Sequence, residues 1–176
     1  VGGGGGGGGG SDNGGGGGGG IERETNAAAA AAAPPPAPAA EAAAAAADEA
    51  DVDIVVEPIN HLQVGFNNSV GEVRELTAAA GSSRLHPMID TVHMNIEETS
   101  LLQPIRDCGA SLRHVHLCES NGAILGTGHI DFAAVLETLD SIGYDGFGSV
   151  KVYRKAETVA AARTSMDYLR SLSSSV

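Results

Sequence analysis

The chain has 176 residues, a length that supports one domain of ordinary size. Its formal net charge of −12 at pH 7 argues against nucleic acid as the main partner, because phosphate binding needs clustered Lys and Arg. Two cysteines are too few for a disulfide framework, which favours a reducing compartment such as the cytoplasm. Outside the alanine tracts, apolar runs are too short to cross a membrane.

Glycine, alanine and proline dominate residues 1–38. Two glycine runs, 2–10 and 14–20, contain sixteen of the 26 glycines. A segment without apolar periodicity cannot offset the entropy lost when its backbone is ordered. We therefore expect a disordered leader over 1–38 and a folded domain over 39–176. A gene-model or fragment artefact is an equal alternative for the leader, since the chain begins at Val1.

Helix-like and strand-like segments alternate from residue 39 onward. The first half of the domain contains an alanine-rich helix and three further elements: a strand over 51–57, a helix over 69–81 and a strand over 86–91. Ser69 and Glu72 form a capping box at the start of the second helix, and Gly81 ends it.

The second half continues with a helix over 95–109 and a strand over 111–117. Asp131 caps the most regular helix, which Gly143 ends. Its apolar stripe consists of Phe132, Val135, Leu136, Leu139 and Ile142. A last strand is predicted over 147–152 and a last helix over 156–172. Five residues of that helix are predicted to face inward: Val159, Ala162, Met166, Leu169 and Leu172.

This order of elements indicates an α/β fold made of βαβ units with a parallel sheet. Four such units are half of a (β/α)₈ TIM barrel, and a small open doubly wound sheet is the alternative. The first strand is followed by no glycine-rich phosphate loop, which disfavours the open sheet. A half barrel has an unpaired strand at each edge, so we expect self-association through these open edges.

Each predicted strand ends in or near a polar side chain: Glu57, Asp90, His116 and Lys151. The intervals of 33, 26 and 35 residues correspond to about one βα unit each. Active sites of TIM barrels lie at the carboxyl ends of their strands, and Glu, Asp and His are suitable ligands for divalent metals. The alternative is that these side chains only cap or solvate the edge of the sheet.

Four short segments resemble the sugar phosphate isomerase/epimerase family. They are Glu57-Pro-Ile-Asn60, the stretch IDTVHMNIEE over 89–98, His114-Val115-His116-Leu117, and GTGHIDF over 126–132. This family includes the ketose 3-epimerases and belongs to the xylose-isomerase-like TIM barrel superfamily. The resemblance covers about residues 39–172, which correspond to the C-terminal half of the barrel.

The resemblance implies a divalent metal (Mn, Mg, Co or Zn) bound by Glu57, Asp90 and His116. It also implies that His93 contacts a small-molecule sugar substrate. Epimerases of this family use two metal-bound glutamates to remove and return a proton beside a ketose carbonyl. Lys151 occupies the position of the second glutamate. A protonated lysine cannot bind a metal, so we expect Lys151 to act as a cationic electrophile or, with a lowered pKa, as an acid–base group.

Two other positions also depart from the family. Gln63 replaces a substrate-contacting glutamate, and Gly122 replaces a substrate-contacting arginine. We expect Gln63 to contact the substrate and Arg154 to bind a phosphate or carboxylate group.

Taken together, these features favour a metal-dependent isomerase or epimerase acting on a small sugar, sugar phosphate or keto sugar. A truncated, catalytically incompetent barrel fragment with a binding or structural role is the alternative. A metal-dependent phosphodiesterase of the DNA-repair branch is a third, which the acidic charge disfavours.

Other polar residues near the strands receive structural interpretations. His114 shares a strand face with His116 and is expected to be a satisfied core histidine. Cys118 continues that face as a small buried residue. Glu119 is expected to be solvated. His61 and His86 are expected to lie in loops.

Overall fold

A computed structural model describes residues 38–154 and 157–173. The predicted disordered leader lies outside these residues except at its last position. Pro38 is the first residue of a helix, where the N–H that proline lacks would have no partner within the helix. This helix therefore includes the last residue of the segment predicted to be disordered.

Helices and strands alternate through the described residues. In chain order they are α1 (Pro38–Ala50), β1 (Ile54–Val56), α2 (Val70–Ala79), β2 (Leu85–Asp90), α3 (Thr91–Glu97), α4 (Leu102–Cys108), a 3₁₀ turn (Gly109–Ser111), β3 (His114–Cys118), α5 (Phe132–Ser141), β4 (Phe147–Lys151) and α6 (Thr158–Ser173). The capping box of Ser69 and Glu72 is confirmed at the start of α2. Asp131 caps α5, as predicted.

The four strands form one parallel sheet in the order β1-β2-β3-β4. The register pairs Asp90 with His116, His116 with Ser149, and Cys118 with Lys151. Neighbouring parallel strands in chain order, joined by helices, confirm the prediction of four βα units of a TIM barrel. The carboxyl ends of the strands therefore lie at one edge of the sheet.

The main core lies between the helices and one face of the sheet. Ile89 and Val115 alternate with Asp90 and His116 along their strands, so apolar and polar side chains point to opposite faces. The predicted stripe of α5 packs in this core through the buried residues Phe132, Val135 and Leu139. Among the described helices, none combines the length and apolar character needed to cross a membrane.

The prediction of a single helix over 95–109 is wrong. Two short helices, α3 and α4, occupy this region, with Glu98 in an extended conformation between them (φ −97°, ψ 143°). The Glu98 side chain accepts a hydrogen bond of 2.8 Å from the backbone N–H of Val70 at the start of α2. This long-range contact holds Glu98 outside the helix and overrides its local helix propensity.

The inward face predicted for α6 is wrong at three of its five positions. Val159, Ala162 and Met166 are exposed, whereas Ala161 and Ser165 are buried. The Ser165 hydroxyl accepts a hydrogen bond of 3.3 Å from the backbone N–H of Leu125, which turns the small-residue face of the helix inward. Leu169 and Leu172 pack against the core, as predicted.

The prediction that His86 lies in a loop is wrong. His86 is the second residue of β2 and is buried. Its Nε2 atom lies 3.7 Å from Asp53 Oδ1, beyond hydrogen-bond distance. Burial lowers the pKa of His86, and the positive charge of Arg113 lowers it further. His61 does lie in a turn and is exposed, as predicted.

Candidate cation site at the strand ends

The four polar residues predicted at the strand ends lie together in the structure. Glu57 directly follows β1, Asp90 ends β2, His116 lies within β3 and Lys151 ends β4. The Asp90 side chain is completely buried, while the side chains of Glu57, His116 and Lys151 are 23%, 24% and 27% exposed. The cluster is therefore closed towards the core and open on one side.

Two carboxylate oxygens are the centre of this cluster. His116 Nδ1 lies 3.0 Å from Glu57 Oε1 and 3.4 Å from Asp90 Oδ2. Lys151 Nζ lies 3.2 Å from the same oxygen of Glu57 and 2.8 Å from the same oxygen of Asp90. One ammonium group and one imidazole thus contact the same pair of acceptors.

The fold fixes the Asp90 carboxylate from the other side. Asp90 is both the last residue of β2 and the N-cap of α3, and its Oδ1 accepts a hydrogen bond of 2.9 Å from the Val92 N–H. An N-cap aspartate satisfies a helix donor that otherwise has no partner. Oδ1 is therefore held by the helix while Oδ2 points into the cluster.

His93 lies beside the carboxylates and is 2% exposed. Its Nδ1 is 2.7 Å from the side-chain nitrogen of Asn60, whose Oδ1 accepts the N–H of Leu62 at 3.2 Å. The Leu62 contact fixes the orientation of the Asn60 amide, so Asn60 donates to Nδ1. In the neutral imidazole the proton is then on Nε2, which lies 3.9 Å from Glu57 Oε1.

The pKa values of His93 and Lys151 shift in opposite directions. Burial is the largest cause of the lowered pKa of His93, and the positive charge of Lys151 contributes in the same direction. Burial also works to lower the pKa of Lys151. Hydrogen bonds to Asp90, Tyr153 and Glu57 outweigh burial and raise the pKa of Lys151 above its usual range. At neutral pH the site therefore contains a neutral His93 and a charged Lys151.

The donor set fits a divalent cation. Glu57, Asp90 and His93 each offer one atom within 4.8 Å of the other two, and His116 Nδ1 approaches the same oxygens. Carboxylate oxygen and imidazole nitrogen are ligands for Mn²⁺, Mg²⁺, Co²⁺ and Zn²⁺. Asn60 keeps the proton of His93 on Nε2, the nitrogen that faces Glu57. His116 is therefore the better imidazole ligand for a metal ion. His93 is the better hydrogen-bond donor to a bound molecule.

The two other residues predicted to contact substrate lie on the surface. Gln63 is exposed in the turn that follows Glu57, and its backbone N–H donates to the Asn60 carbonyl. Arg154 is exposed and lines a groove of about 270 Å³ together with Val150, Val152 and residues of α6. Lys151 is directed to the opposite face of β4 from Val150 and Val152, so the groove and the cluster lie on different sides of the strand.

The prediction that Glu119 is solvated is wrong, because its side chain is completely buried. Its carboxylate accepts hydrogen bonds from the backbone N–H groups of Ser120, Gly126 and Ile130, at 2.8, 3.0 and 3.2 Å. A Cβ at Gly128 would overlap this carboxylate. Glu119 therefore organises the loop that joins β3 to α5, and the surrounding glycines were the sequence signal for such a close approach.

Of two neighbours of the cluster, Cys118 is buried as predicted, whereas the prediction that His114 lies in the core is wrong, because His114 is half-buried. His114 forms an edge-to-face contact with the His116 ring, at 5.2 Å between centroids, and its Nε2 lies 3.0 Å from Ser149 Oγ. Cys118 is buried, and burial raises the pKa of its thiol to about 12. Tyr153, which the sequence did not single out, places its ring 4.9 Å from Lys151 Nζ.

Comparison with known proteins finds sugar epimerases. The chain is 37% identical over 99 residues to a D-psicose 3-epimerase of Enterocloster bolteae and 35% identical over 95 residues to a ketose 3-epimerase of Arthrobacter globiformis. These matches cover 56% and 54% of this chain. They cover 33% of each relative, so the matched segment spans about a third of their length.

The solved structures that resemble this chain also include sugar epimerases. A D-psicose 3-epimerase of Clostridium cellulolyticum superposes with a TM-score of 0.68 at 27% identity, covering 75% of this chain and 53% of that protein. A 3-keto-D-glucoside 4-epimerase of Escherichia coli gives 0.69 at 27% identity, covering 74% and 50%. The family model described as xylose isomerase-like TIM barrel matches residues 36–172. The chain therefore belongs to the xylose isomerase-like TIM barrel family.

Proposed function

We propose that this chain carries the cation-binding and proton-transfer part of an isomerase or epimerase acting on a small sugar, sugar phosphate or keto sugar. The observation that carries the proposal is the convergence of Glu57 and Asp90 with His116 at the carboxyl ends of adjacent strands. The relatives named as ketose and psicose 3-epimerases support this reaction class.

In this proposal Glu57, Asp90 and His116 bind one divalent ion, either Mn²⁺, Mg²⁺, Co²⁺ or Zn²⁺. When bound, such an ion polarises a ketose carbonyl. His93 donates from Nε2 to a substrate oxygen, since Asn60 holds its other nitrogen as an acceptor. Gln63 contributes a substrate contact from its turn. Arg154 lines the groove on the other side of β4, so it is proposed as a separate binding position for a phosphate or carboxylate group.

Glu57 is the proposed base. Its carboxylate takes the proton from the carbon beside the ketose carbonyl, and the C–H electron pair forms the double bond of an enediolate. The carbonyl π electrons move to its oxygen, and the Lys151 ammonium compensates the resulting negative charge. For an isomer, the protonated Glu57 returns the proton to the former carbonyl carbon, while the hydroxyl proton of the enediolate passes from one oxygen to the other. For an epimer, water protonates the opposite face of the original carbon and Glu57 releases its proton to solvent. Lys151 thus supports the reaction as an electrophile at the position where the family has its second glutamate.

The proposal is tested with a panel of free and phosphorylated ketoses, each supplied with one of the four metals, and with chromatography of the products. We expect conversion of at least one ketose. Glu57→Gln should lose it, while Glu137→Gln, on the exposed face of α5, should retain it. Absence of conversion across the panel would contradict the proposal, and so would full activity of Glu57→Gln.

A second candidate is a catalytically incompetent fragment with only a binding or structural role. The observation in its favour is that Lys151 forms ion pairs with Asp90 and Glu57. The family resemblance implies a catalytic glutamate at this position. Under this alternative the chain binds a ketose, detected by saturation-transfer NMR, but leaves it unchanged.

A further inference from the structure

The side chain of Lys151 lies where a metal bound by Glu57 and Asp90 would lie. Its ammonium is 2.8 Å from Asp90 Oδ2 and 3.2 Å from Glu57 Oε1, and these are the two carboxylate oxygens that His116 also approaches. Lys151 is one of only two lysines in the chain. The cluster thus already contains a cation of its own.

Electrostatics explains why such a cation stabilises the site. The Asp90 side chain is completely buried and the Glu57 side chain is 23% exposed, so both carboxylates are largely removed from water. Two nearby carboxylates repel each other unless a positive charge compensates them. A lysine ammonium is a compact charge with three donors, and here two of its acceptors are Asp90 and Glu57.

A divalent ion and this ammonium compete for the same oxygens. An ion that contacts both carboxylates would lie within a few ångströms of Lys151 Nζ, and at such distances like charges repel strongly in a partly buried site. The ammonium has no lone pair and cannot become a ligand itself. The ion can bind only when the Lys151 ammonium moves off these two oxygens, which still leaves the side chain beside the site.

We propose that Lys151 is an intramolecular competitor of the metal, so that the site alternates between an ammonium-filled state and a metal-filled state. This inference rests on the proposed function for the set of metal ligands and adds a device that controls how readily they are occupied. It concerns metal affinity and is independent of whether a ketose is converted.

The test is calorimetric titration of Mn²⁺ into the full chain and three variants. Lys151→Met removes the competing charge, and we expect Mn²⁺ to bind at least about tenfold more tightly. Lys151→Glu adds a carboxylate and should bind more tightly still. Arg163→Met removes one positive charge from the exposed face of α6 and should leave the affinity within about twofold of wild type.

Lys151→Met can be titrated only if it folds without a cation, so thermal melting provides a second measurement that does not depend on this. Thermal melting with and without Mn²⁺ should show a larger rise in midpoint for Lys151→Met than for wild type, because metal stabilises only the folded site. Equal affinity and equal midpoint shifts in both proteins would overturn the inference. So would failure of all the proteins to bind Mn²⁺, because removing a competitor should expose the site. Absence of ketose conversion alone would instead count against the proposed function.

Discussion

Asn60 donates a hydrogen bond of 2.7 Å to Nδ1 of the buried His93, and this contact sets which nitrogen of the imidazole faces Glu57. The Leu62 N–H fixes the direction of the amide. Burial lowers the pKa of His93, so the ring is neutral at pH 7 with its proton on Nε2. An asparagine outside the cluster thus determines that His93 acts as a donor inside it.

Asn60→Asp should reverse this arrangement. A carboxylate accepts from Nδ1–H, which leaves Nε2 as an acceptor and removes the donor to the substrate. Long-range ¹H–¹⁵N NMR of the imidazole should show the proton on Nε2 in wild type and on Nδ1 in the variant. We expect kcat/KM for a converted ketose to fall by roughly 10- to 100-fold, as for other residues that orient a site histidine. An unchanged NMR pattern would contradict the assigned role of Asn60.

Lys151→Met should destabilise the fold in the absence of metal. The change leaves the buried Asp90 carboxylate without its ammonium partner, and we expect the free energy of unfolding to fall by about 2 kcal/mol. This is less than for a fully buried pair, since Lys151 is 27% exposed. Urea denaturation measures the effect, with Arg163→Met as the charge-matched control expected to change stability by less than about 0.5 kcal/mol. A variant as stable as wild type would show that the ion pair does not stabilise the fold.

Glu119→Gln should weaken the loop between β3 and α5 and alter the acid dependence of stability. Burial works to raise the pKa of Glu119, but the hydrogen bonds from Ser120, Ile130 and Gly126 outweigh it and lower the pKa. A lowered pKa gives stability that is present above the unfolded value, near 4.5, and is lost as pH falls through the folded value.

We therefore expect Glu119→Gln to cost about 1–3 kcal/mol at pH 7 and to lose less stability than wild type below pH 4.5. Urea denaturation at pH 7, 5 and 3.5 measures both effects. Glu137→Gln, at an exposed position of α5, is the matched control. A constant difference between wild type and Glu119→Gln at all three pH values would contradict the role of the ionised carboxylate.

The exposed apolar surface predicts self-association. Phe147 begins β4 and is 84% exposed, and β4 is the last strand of the sheet order. Among residues 38–154 and 157–173, β4 pairs only with β3, and an unpaired strand edge with an exposed aromatic residue is a template for pairing with another chain. Sedimentation velocity should show a concentration-dependent increase in mass that Phe147→Ser reduces. Phe66→Ser removes a loop phenylalanine that is 71% exposed and should have a smaller effect. A monomer at every concentration would exclude this behaviour.

Local sequence signals were sufficient for much of the fold. The capping box of Ser69 and Glu72 and the cap at Asp131 are short-range contacts, so the sequence alone places α2 and α5. The repeated spacing of polar residues at strand ends anticipated the convergence of Glu57, Asp90, His116 and Lys151, because parallel strands end at the same edge.

The failures came from contacts between residues far apart in the chain. The break between α3 and α4 depends on the bond from Val70 to Glu98, and the orientation of α6 depends on the bond from Leu125 to Ser165. Glu119 is buried because the glycine-rich loop folds its backbone N–H groups onto the carboxylate. Periodicity and propensity contain no information about such partners.

The most direct test of the proposed reaction is deuterium exchange from D₂O into ketoses, followed by NMR. With a saturating divalent metal, the wild-type chain should incorporate deuterium at the carbon beside the carbonyl of at least one ketose, even where net conversion is small. Glu57→Gln should incorporate none, and Glu137→Gln should match wild type. If no ketose in the panel gains deuterium with any of the four metals, or if Glu57→Gln exchanges as fast as wild type, proton abstraction by Glu57 is excluded.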